Sequence, residues 1–259
     1  MLKARKRFGQ NFLIDNNIID KIGRGIDARP GQHLVEIGPG RGALTDQLVA
    51  SGCDLTLVEI DRDLSAQLAK RYPDAKLINQ DVLKFDFDSL SDGQTKLRVV
   101  GNLPYNISTP LMFKLFENAT LIDDMHFMLQ LEVVDRITAS PNTKAYGRLT
   151  VMSQIYCDVE KLFEVPPYAF SPRPKVQSAI VRLTPKPRPA ELDMTLLETI
   201  LIDAFNARRK TIRNGLRKQL SADELESLGL SPTLRPENLD INDFIRCTQL
   251  VTQKSANKT

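Results

Sequence analysis

The 259-residue chain is poor in the residues that build metal and disulfide frameworks. It holds three cysteines, Cys53, Cys157 and Cys247, and two histidines, His33 and His126. No cysteine has a partner two to four residues away, as a zinc knuckle requires, so the thiols read as free and no metal site is expected. Each histidine sits among apolar neighbours in a strand-like run and reads as a packed core or sheet-end residue. Long hydrophobic runs are also missing. Nothing approaches the roughly 18 apolar residues of a membrane span, and no charged region followed by an apolar stretch and a cleavage site opens the chain. A cytoplasmic protein without membrane contact is the expectation.

Net charge is small as well, at +3, and a total of that size says little about partners. The distribution says more. Lys3, Arg5, Lys6 and Arg7 crowd the N-terminus; residues 171–190 carry five basic side chains and no acid; residues 208–218 carry six and no acid. Three separate basic clusters make a phosphate-binding surface if folding gathers them. Candidate RNA contacts are Arg5, Lys6, Arg7, Arg173, Lys175, Arg209, Arg213 and Arg217.

With 42% hydrophobic residues, the chain can bury one large core and carry a small second domain. From His33 to about Leu183, strand-like runs alternate with helical stretches, the pattern of a parallel sheet covered on both faces. Strands are predicted near 33–37, 54–59, 75–78, 97–101, 125–131, 159–165 and 177–184, with helices near 15–27, 42–51, 62–71, 108–118, 131–139 and 147–157. Only Pro166–Val176 separates the last two strands, too little for a parallel crossover, so they are expected as antiparallel neighbours. The proline-rich Pro185–Ala190 reads as a linker, which divides the chain into domains 1–186 and 187–259. In the second, Ile212, Leu216 and Leu220 make an apolar row at four-residue spacing, and Arg209, Arg213 and Arg217 a basic row beside it.

Three segments carry candidate chemistry. VEIGPGRG (Val35–Gly42) leaves the first of these strands and opens a helix, so its glycines can turn tightly around a ligand. Gly38, Gly40 and Ala43 fit a dinucleotide fingerprint, and Glu59 lies about 20 residues on, where a carboxylate accepts ribose hydroxyls. An NAD or flavin enzyme would show the same features. Glu36 before the loop and Asp81 after the third strand favour S-adenosylmethionine, as in class I methyltransferases. Loop organisation is the plainer role for Glu36, and a turn cap the plainer role for Asp81.

The deciding segment is GNLPYN, Gly101–Asn106, directly after the fourth strand. An adenine amine is a poor nucleophile because its lone pair is delocalised into the ring, so methylating it calls for acceptors that draw its hydrogens out of plane. The Asn102 side-chain oxygen offers one, and a backbone carbonyl of Leu103 or Pro104 a second. Tyr105 can stack on the base. Phe170, stiffened by surrounding prolines, either clamps the other face of a flipped adenine or plugs the core.

At these residues the sequence resembles the ribosomal RNA adenine N6-dimethyltransferase family, most closely its small-subunit branch. The matching pieces are KRFGQNFL (Lys6–Leu13), EIGPGRGALT (Glu36–Thr45), VEID (Val58–Asp61), NQDVL (Asn79–Leu83), GNLPYNIST (Gly101–Thr109), YGRL (Tyr146–Leu149) and VPPYAFSPRPKVQSAIVRL (Val165–Leu183). They span nearly the whole chain. The resemblance implies a class I, Rossmann-like α/β fold with a seven-stranded, mostly parallel sheet and one antiparallel strand, followed by a small helical domain. It implies S-adenosylmethionine as donor, bound by Asn11, Leu13, Gly38, Glu59, Asp81 and Asn102. It also implies a monomer that dimethylates two adjacent adenosines in the 3′-terminal hairpin of 16S ribosomal RNA within a partly assembled 30S subunit. The family often has a small residue where Tyr168 stands.

The large-subunit branch commonly has isoleucine at the position of Leu103 and serine at that of Gly9, so the sequence leans away from it. DNA adenine methyltransferases usually carry a D-P-P-Y-like motif and a target-recognition insertion, both missing here. A non-catalytic RNA-binding factor on the same fold would be expected to lose Asn102 or Tyr105, and both are present.

Overall fold

A computed structural model describes Arg5 and residues 10–189, 191–206 and 210–256. The elements are, in order, β1 (Phe12–Leu13), α1 (Asn16–Ile26), β2 (His33–Ile37), α2 (Thr45–Ala50), β3 (Asp54–Val58), α3 (Arg62–Arg71) and β4 (Lys76–Ile78). Next come β5 (Leu97–Asn102), α4 (Ser108–Glu117), β6 (Ile122–Gln130), α5 (Leu131–Ile137), α6 (Arg148–Tyr156), β7 (Cys157–Val165), β8 (Phe170–Ser171) and β9 (Ser178–Pro185). Four helices close the chain: α7 (Met194–Asn206), α8 (Ile212–Gly215), α9 (Ala222–Ser227) and α10 (Ile241–Ala256).

The main sheet has seven strands in the order β4-β3-β2-β5-β6-β9-β7. The pairs β2–β3, β2–β5, β3–β4 and β5–β6 are parallel, and β9 runs antiparallel to β6. This is the predicted α/β class, and the seven strands fall within a few residues of their expected places. Short loops explain why β9 reverses: the chain between β7 and β9 has no room for a crossover helix. The order reverses between β2 and β5, where an open parallel sheet leaves a crevice at its carboxyl edge. The central strands are buried on both faces, as in Leu34, Val35, Val99 and Val100, each at 0% exposure. At the crevice β2 and β5 approach so closely that a Cβ on Gly101 would sit 2.5 Å from the Ile37 carbonyl oxygen, which only glycine avoids.

Helix α1 packs on this sheet through Ile19, Ile22 and Ile26. Asp15 caps its start, accepting from the backbone N–H groups of Asn17 at 3.0 Å and Ile18 at 3.3 Å. Its last carbonyls are served from the sheet by buried Arg98 of β5. That guanidinium forks onto Asp124 through Nε and Nη2, both at 2.8 Å, and donates to the Ile26 carbonyl at 2.6 Å and the Gln32 side chain at 2.8 Å.

The chain forms two compact units, Met1–Val134 with Val159–Pro185, and Asp135–Asp158 with Lys186–Thr259. The division at residue 186 read from the proline linker therefore needs one correction: residues 135–158 group with the C-terminal helices. The reason is in α6, whose Val151, Met152, Ile155 and Tyr156 are buried almost all round the helix, and which packs on α7 and α10. Tyr146, just before it, lies 6.2 Å ring to ring from Phe205, which lies 5.8 Å from Phe244.

Within the second unit the basic helix expected along residues 208–220 is broken. Helix α8 spans only Ile212–Gly215, and α9 restarts at Ala222 behind a reciprocal cap between Ser221 and Glu224. Ile212, Leu216 and Leu220 are buried as their spacing suggested. The cause of the break is local: the Gly215 backbone packs directly against Ala204 of α7, and a turn follows. The C-terminal helix α10 continues to Ala256.

Candidate functional site

The cleft lies wholly in the first unit, at the carboxyl ends of β2, β3 and β5. One wall is the loop after β2. Gly38 and Gly40 take positive φ, 65° and 59°, and turn the backbone around the cleft. Glu59, at the end of β3, steadies this loop by accepting from the Gly40 N–H at 3.2 Å and the Asp61 N–H at 2.9 Å. Burial raises its pKa. Glu36 beneath the loop accepts the Thr45 hydroxyl at 2.6 Å, and burial pushes its carboxyl up to about 8. The group is mostly protonated at neutral pH, and it ties β2 to the first turn of α2, the organising role anticipated for it.

Asp81 follows β4 and lines the opposite wall. Its Oδ1 accepts the Leu83 N–H at 3.0 Å, the cap expected as the plainer role, and Oδ2 has no partner among the described residues. The cap is therefore formed by one oxygen of a side chain that also lines the cleft.

The chemistry-bearing segment begins at the last residue of β5. Asn102 donates Nδ2 to the Asn11 carbonyl at 3.0 Å, which fixes the amide and leaves Oδ1 without a partner among the described residues. The Pro104 carbonyl accepts the Ile107 N–H at 3.1 Å, whereas that of Leu103 is not engaged by any described group. Of the two backbone acceptors considered, the Leu103 carbonyl is the one left available. Tyr105 lines the cleft and its hydroxyl is 2.9 Å from buried Ser178 on β9. Burial raises its pKa, so the ring is neutral at physiological pH. His126, on the cleft floor, is made a weaker base by burial.

The arm before α1 closes the site. Asn11 and Leu13 line it, as their candidate cofactor role requires, and β1 pairs antiparallel with β8 through Phe12–Ser171 and Leu13–Phe170. Phe12 packs on the Gly40 turn, with the Arg41 guanidinium 4.2 Å over its ring. Arg5 is held by Asp61 at 2.9 Å and by Asp63, so it is an anchor of the arm and not the exposed phosphate contact expected of it. Asp61 and Ser178 are site residues that no local pattern singles out: their partners lie 56 and 73 residues away.

Phe170 needs a second correction. Its ring is 1% exposed and packs in the core beside α1 with Leu13, Met128 and Ile180. The strand pairing with Leu13 turns it inward, so in this conformation it is the core plug and not one jaw of a clamp.

Among the RNA candidates, Arg173, Lys175, Arg213 and Arg217 are exposed, and none forms an ion pair among the described residues. Lys6, Arg7 and Arg209 lie outside the described residues. No group of three or more His, Cys, Asp or Glu that could hold a metal ion occurs among the described residues. No described helix is long and apolar enough to cross a membrane.

The features of this cleft fit S-adenosylmethionine. A turned glycine loop admits close backbone approach, Glu59 sits where ribose hydroxyls are accepted, and Asp81 Oδ2 can accept from an adenine amine. Comparison with known proteins gives the same answer over the whole chain. Residues 1–253 match the family model for ribosomal RNA adenine dimethylase. The ribosomal RNA small subunit methyltransferase A of Pseudomonas aeruginosa is 53% identical, covering 99% of this chain and 97% of its own length. That of Vibrio parahaemolyticus is 54% identical over 94% of this chain and 92% of its own. Among solved structures, a dimethyladenosine transferase from Plasmodium falciparum superposes with a TM-score of 0.83 at 27% identity, covering 94% of this chain and 98% of its own. The 23S rRNA methyltransferase ErmE gives 0.71 at 26% identity over 94% and 100%. With acceptors at Asn102 and Leu103 beside a cofactor cleft, and relatives of this kind along its length, the chain belongs to the ribosomal RNA adenine dimethylase family.

Proposed function

We propose that this chain dimethylates N6 of two adjacent adenosines in the 3′-terminal hairpin loop of 16S ribosomal RNA, acting in the cytoplasm as a monomer on a partly assembled small subunit. The observation that carries the chemistry is the half-used Asn102 amide: Nδ2 is spent on Asn11 and Oδ1 is left over in the cleft. Small-subunit specificity draws its support from the relatives above 50% identity, whose names specify that subunit.

Bound in this cleft, S-adenosylmethionine supplies a methyl group made electrophilic by its sulfonium. Everything else is work for the chain. Asn102 Oδ1 and the Leu103 carbonyl accept the two amine hydrogens of the target adenine, which draws the nitrogen lone pair out of the ring and toward the methyl carbon. Tyr105, fixed through Ser178, stacks on the base and holds the amine in line. The nitrogen–carbon bond forms as the sulfur–carbon bond breaks, and the nitrogen then sheds a proton to water. No strong base is needed, in keeping with a cleft whose Glu36 is mostly protonated and whose His126 is made a weaker base by burial. The second methylation keeps one hydrogen for one acceptor. Arg173, Lys175, Arg213 and Arg217, exposed and uncompensated, are the proposed phosphate contacts.

The test is to incubate the purified chain with isotopically labelled S-adenosylmethionine and, in parallel, small and large ribosomal subunits that lack adenine dimethylation, then to map methyl groups by mass spectrometry. Two neighbouring N6,N6-dimethyladenosines near the 3′ end are expected. Methyl groups found only in large-subunit RNA, or none in either, would overturn the proposal.

A further inference from the structure

Two aromatics stand two residues apart in the chain between β7 and β9, and the fold sends them in opposite directions. Phe170 is 1% exposed, whereas Tyr168 is 60% exposed, the most exposed of the large hydrophobic side chains described. The backbone under Tyr168 is rigid on both sides. Pro166 and Pro167 precede it in a short 3₁₀ turn. Ala169 follows, fully buried, donating its N–H to the Pro166 carbonyl at 3.0 Å and accepting the Ile14 N–H at 2.8 Å. That last bond ties the turn to the arm whose Asn11 and Leu13 line the cleft. Tyr168 is therefore an exposed aromatic ring on an ordered backbone turn, one residue from the bond that ties this turn to the arm lining the cleft.

Its surroundings are apolar and positive. Ile14 is 53% exposed and Val176 44%. Arg173 and Lys175 are exposed and form no ion pair among the described residues, while Arg182 on β9 is neutralised by Glu160. Residues 165–177 contain no acidic side chain. An exposed ring within seven residues of two unpaired cations is a combination that suits single-stranded nucleic acid, since every base has a face to stack and a phosphate to neutralise.

We infer that Tyr168 is a stacking platform for the base of a nucleotide flanking the target adenosine, with Arg173 and Lys175 contacting the adjoining phosphates. The inference rests on the RNA methyltransferase function proposed above. It assigns Tyr168 a part in substrate placement while Asn102, Leu103 and Tyr105 keep the chemistry.

The experiment uses the full chain and a set of partly assembled small subunits reconstituted on RNA whose hairpin carries the target adenosines, each with one flanking nucleotide made abasic. Base–aromatic stacking corresponds to roughly 5- to 150-fold in affinity. Tyr168→Ala should raise KM for subunits with the intact hairpin within that range and leave kcat and S-adenosylmethionine affinity within about twofold, while Tyr168→Phe and Tyr168→Trp should restore KM. At one flanking position, removing the base should raise KM for the parent and have no further effect on Tyr168→Ala. If Tyr168→Ala matches the parent on the intact hairpin, or if its penalty persists undiminished with every abasic RNA, the platform is wrong. The second of those results is what a protein partner or a purely structural role would give. A parent chain that methylates none of the RNAs would instead overturn the underlying function, so the two failures are told apart by the parent's own activity.

Discussion

Arg98 and Asn102, near the two ends of β5, lie four residues apart and are built on opposite principles. Near one end Arg98, 6% exposed, spends its guanidinium on Asp124, Gln32 and the Ile26 and Asp27 carbonyls, and none of its five N–H groups is left over. At the other end Asn102 spends only its amide nitrogen, and the Asn102 oxygen and Leu103 carbonyl face a cleft with nothing among the described residues to receive. An unpartnered polar group is costly only where water is excluded, and Asn102 is half-buried. The saturated end holds the sheet and α1 together. On the proposed mechanism, the unsaturated end is where the target amine completes the hydrogen bonding.

Breaking the saturated end should have the largest effect, and it should fall on stability. Arg98→Ala leaves Asp124 and the α1 carbonyls without their partner, and removing one side of a buried pair costs about 3–5 kcal/mol. Urea unfolding should show that loss, while turnover per folded molecule at low temperature stays near the parent's. A large fall in turnover with unchanged stability would dissolve the contrast.

The next effect lies beneath the glycine loop and depends on pH. The Glu36 carboxyl is raised from 4.5 to about 8 by burial, so the folded state binds more protons than the unfolded between those values. Its contribution is best at low pH, erodes as pH rises through about 4.5, and is lost by about 8. Glu36→Gln keeps an acceptor for Thr45 and removes the titration. Its unfolding free energy relative to the parent should climb from pH 5 to pH 8 and then level, by an amount on the order of a few kcal/mol. A constant difference across that range would mean that Glu36 is ionised in the folded protein.

Tyr105→Ala sharpens the unsaturated end. Losing base stacking should cost about 1–3 kcal/mol in kcat/KM for RNA, with S-adenosylmethionine affinity little changed. Smallest is the effect of the C-terminal cations. Replacing Arg213 and Arg217 together with Gln should leave cofactor binding intact and flatten the log–log salt dependence of RNA binding by roughly 0.7–0.9 for each phosphate no longer neutralised. An unchanged slope would make both side chains part of the solvated surface.

Strand and helix order was legible in the sequence because both faces of a parallel sheet demand continuous apolar runs, and Leu34–Val35 and Val99–Val100 provide them. The loop after β2 and the residues after β5 were legible because turned glycines and Asn-Leu-Pro-Tyr are local patterns. What failed to show was long-range or depended on direction. Arg5 looked like one more free cation, since its partners Asp61 and Asp63 are more than 50 residues away. Phe170 and Tyr168 are both aromatics in a proline-rich stretch, and only the pairing of β8 with β1 decides which points inward. Regular spacing at Ile212, Leu216 and Leu220 foretold their burial but not the break after Gly215, because a turn can bury the same residues as a helix. Helix α6 carries an apolar period that suits a sheet face or a helix bundle equally.

The most direct test of the division along β5 is single-turnover methylation of the partly assembled small subunit by Asn102→Ala, read beside its melting temperature and its affinity for S-adenosylmethionine. Removing one preorganised acceptor typically slows the chemical step by roughly 100- to 1,000-fold. The account predicts a rate loss of that size, a melting temperature close to the parent's, and only a modest fall in cofactor affinity. A near-normal rate constant, or a rate loss explained wholly by unfolding or by failure to bind S-adenosylmethionine, would contradict it.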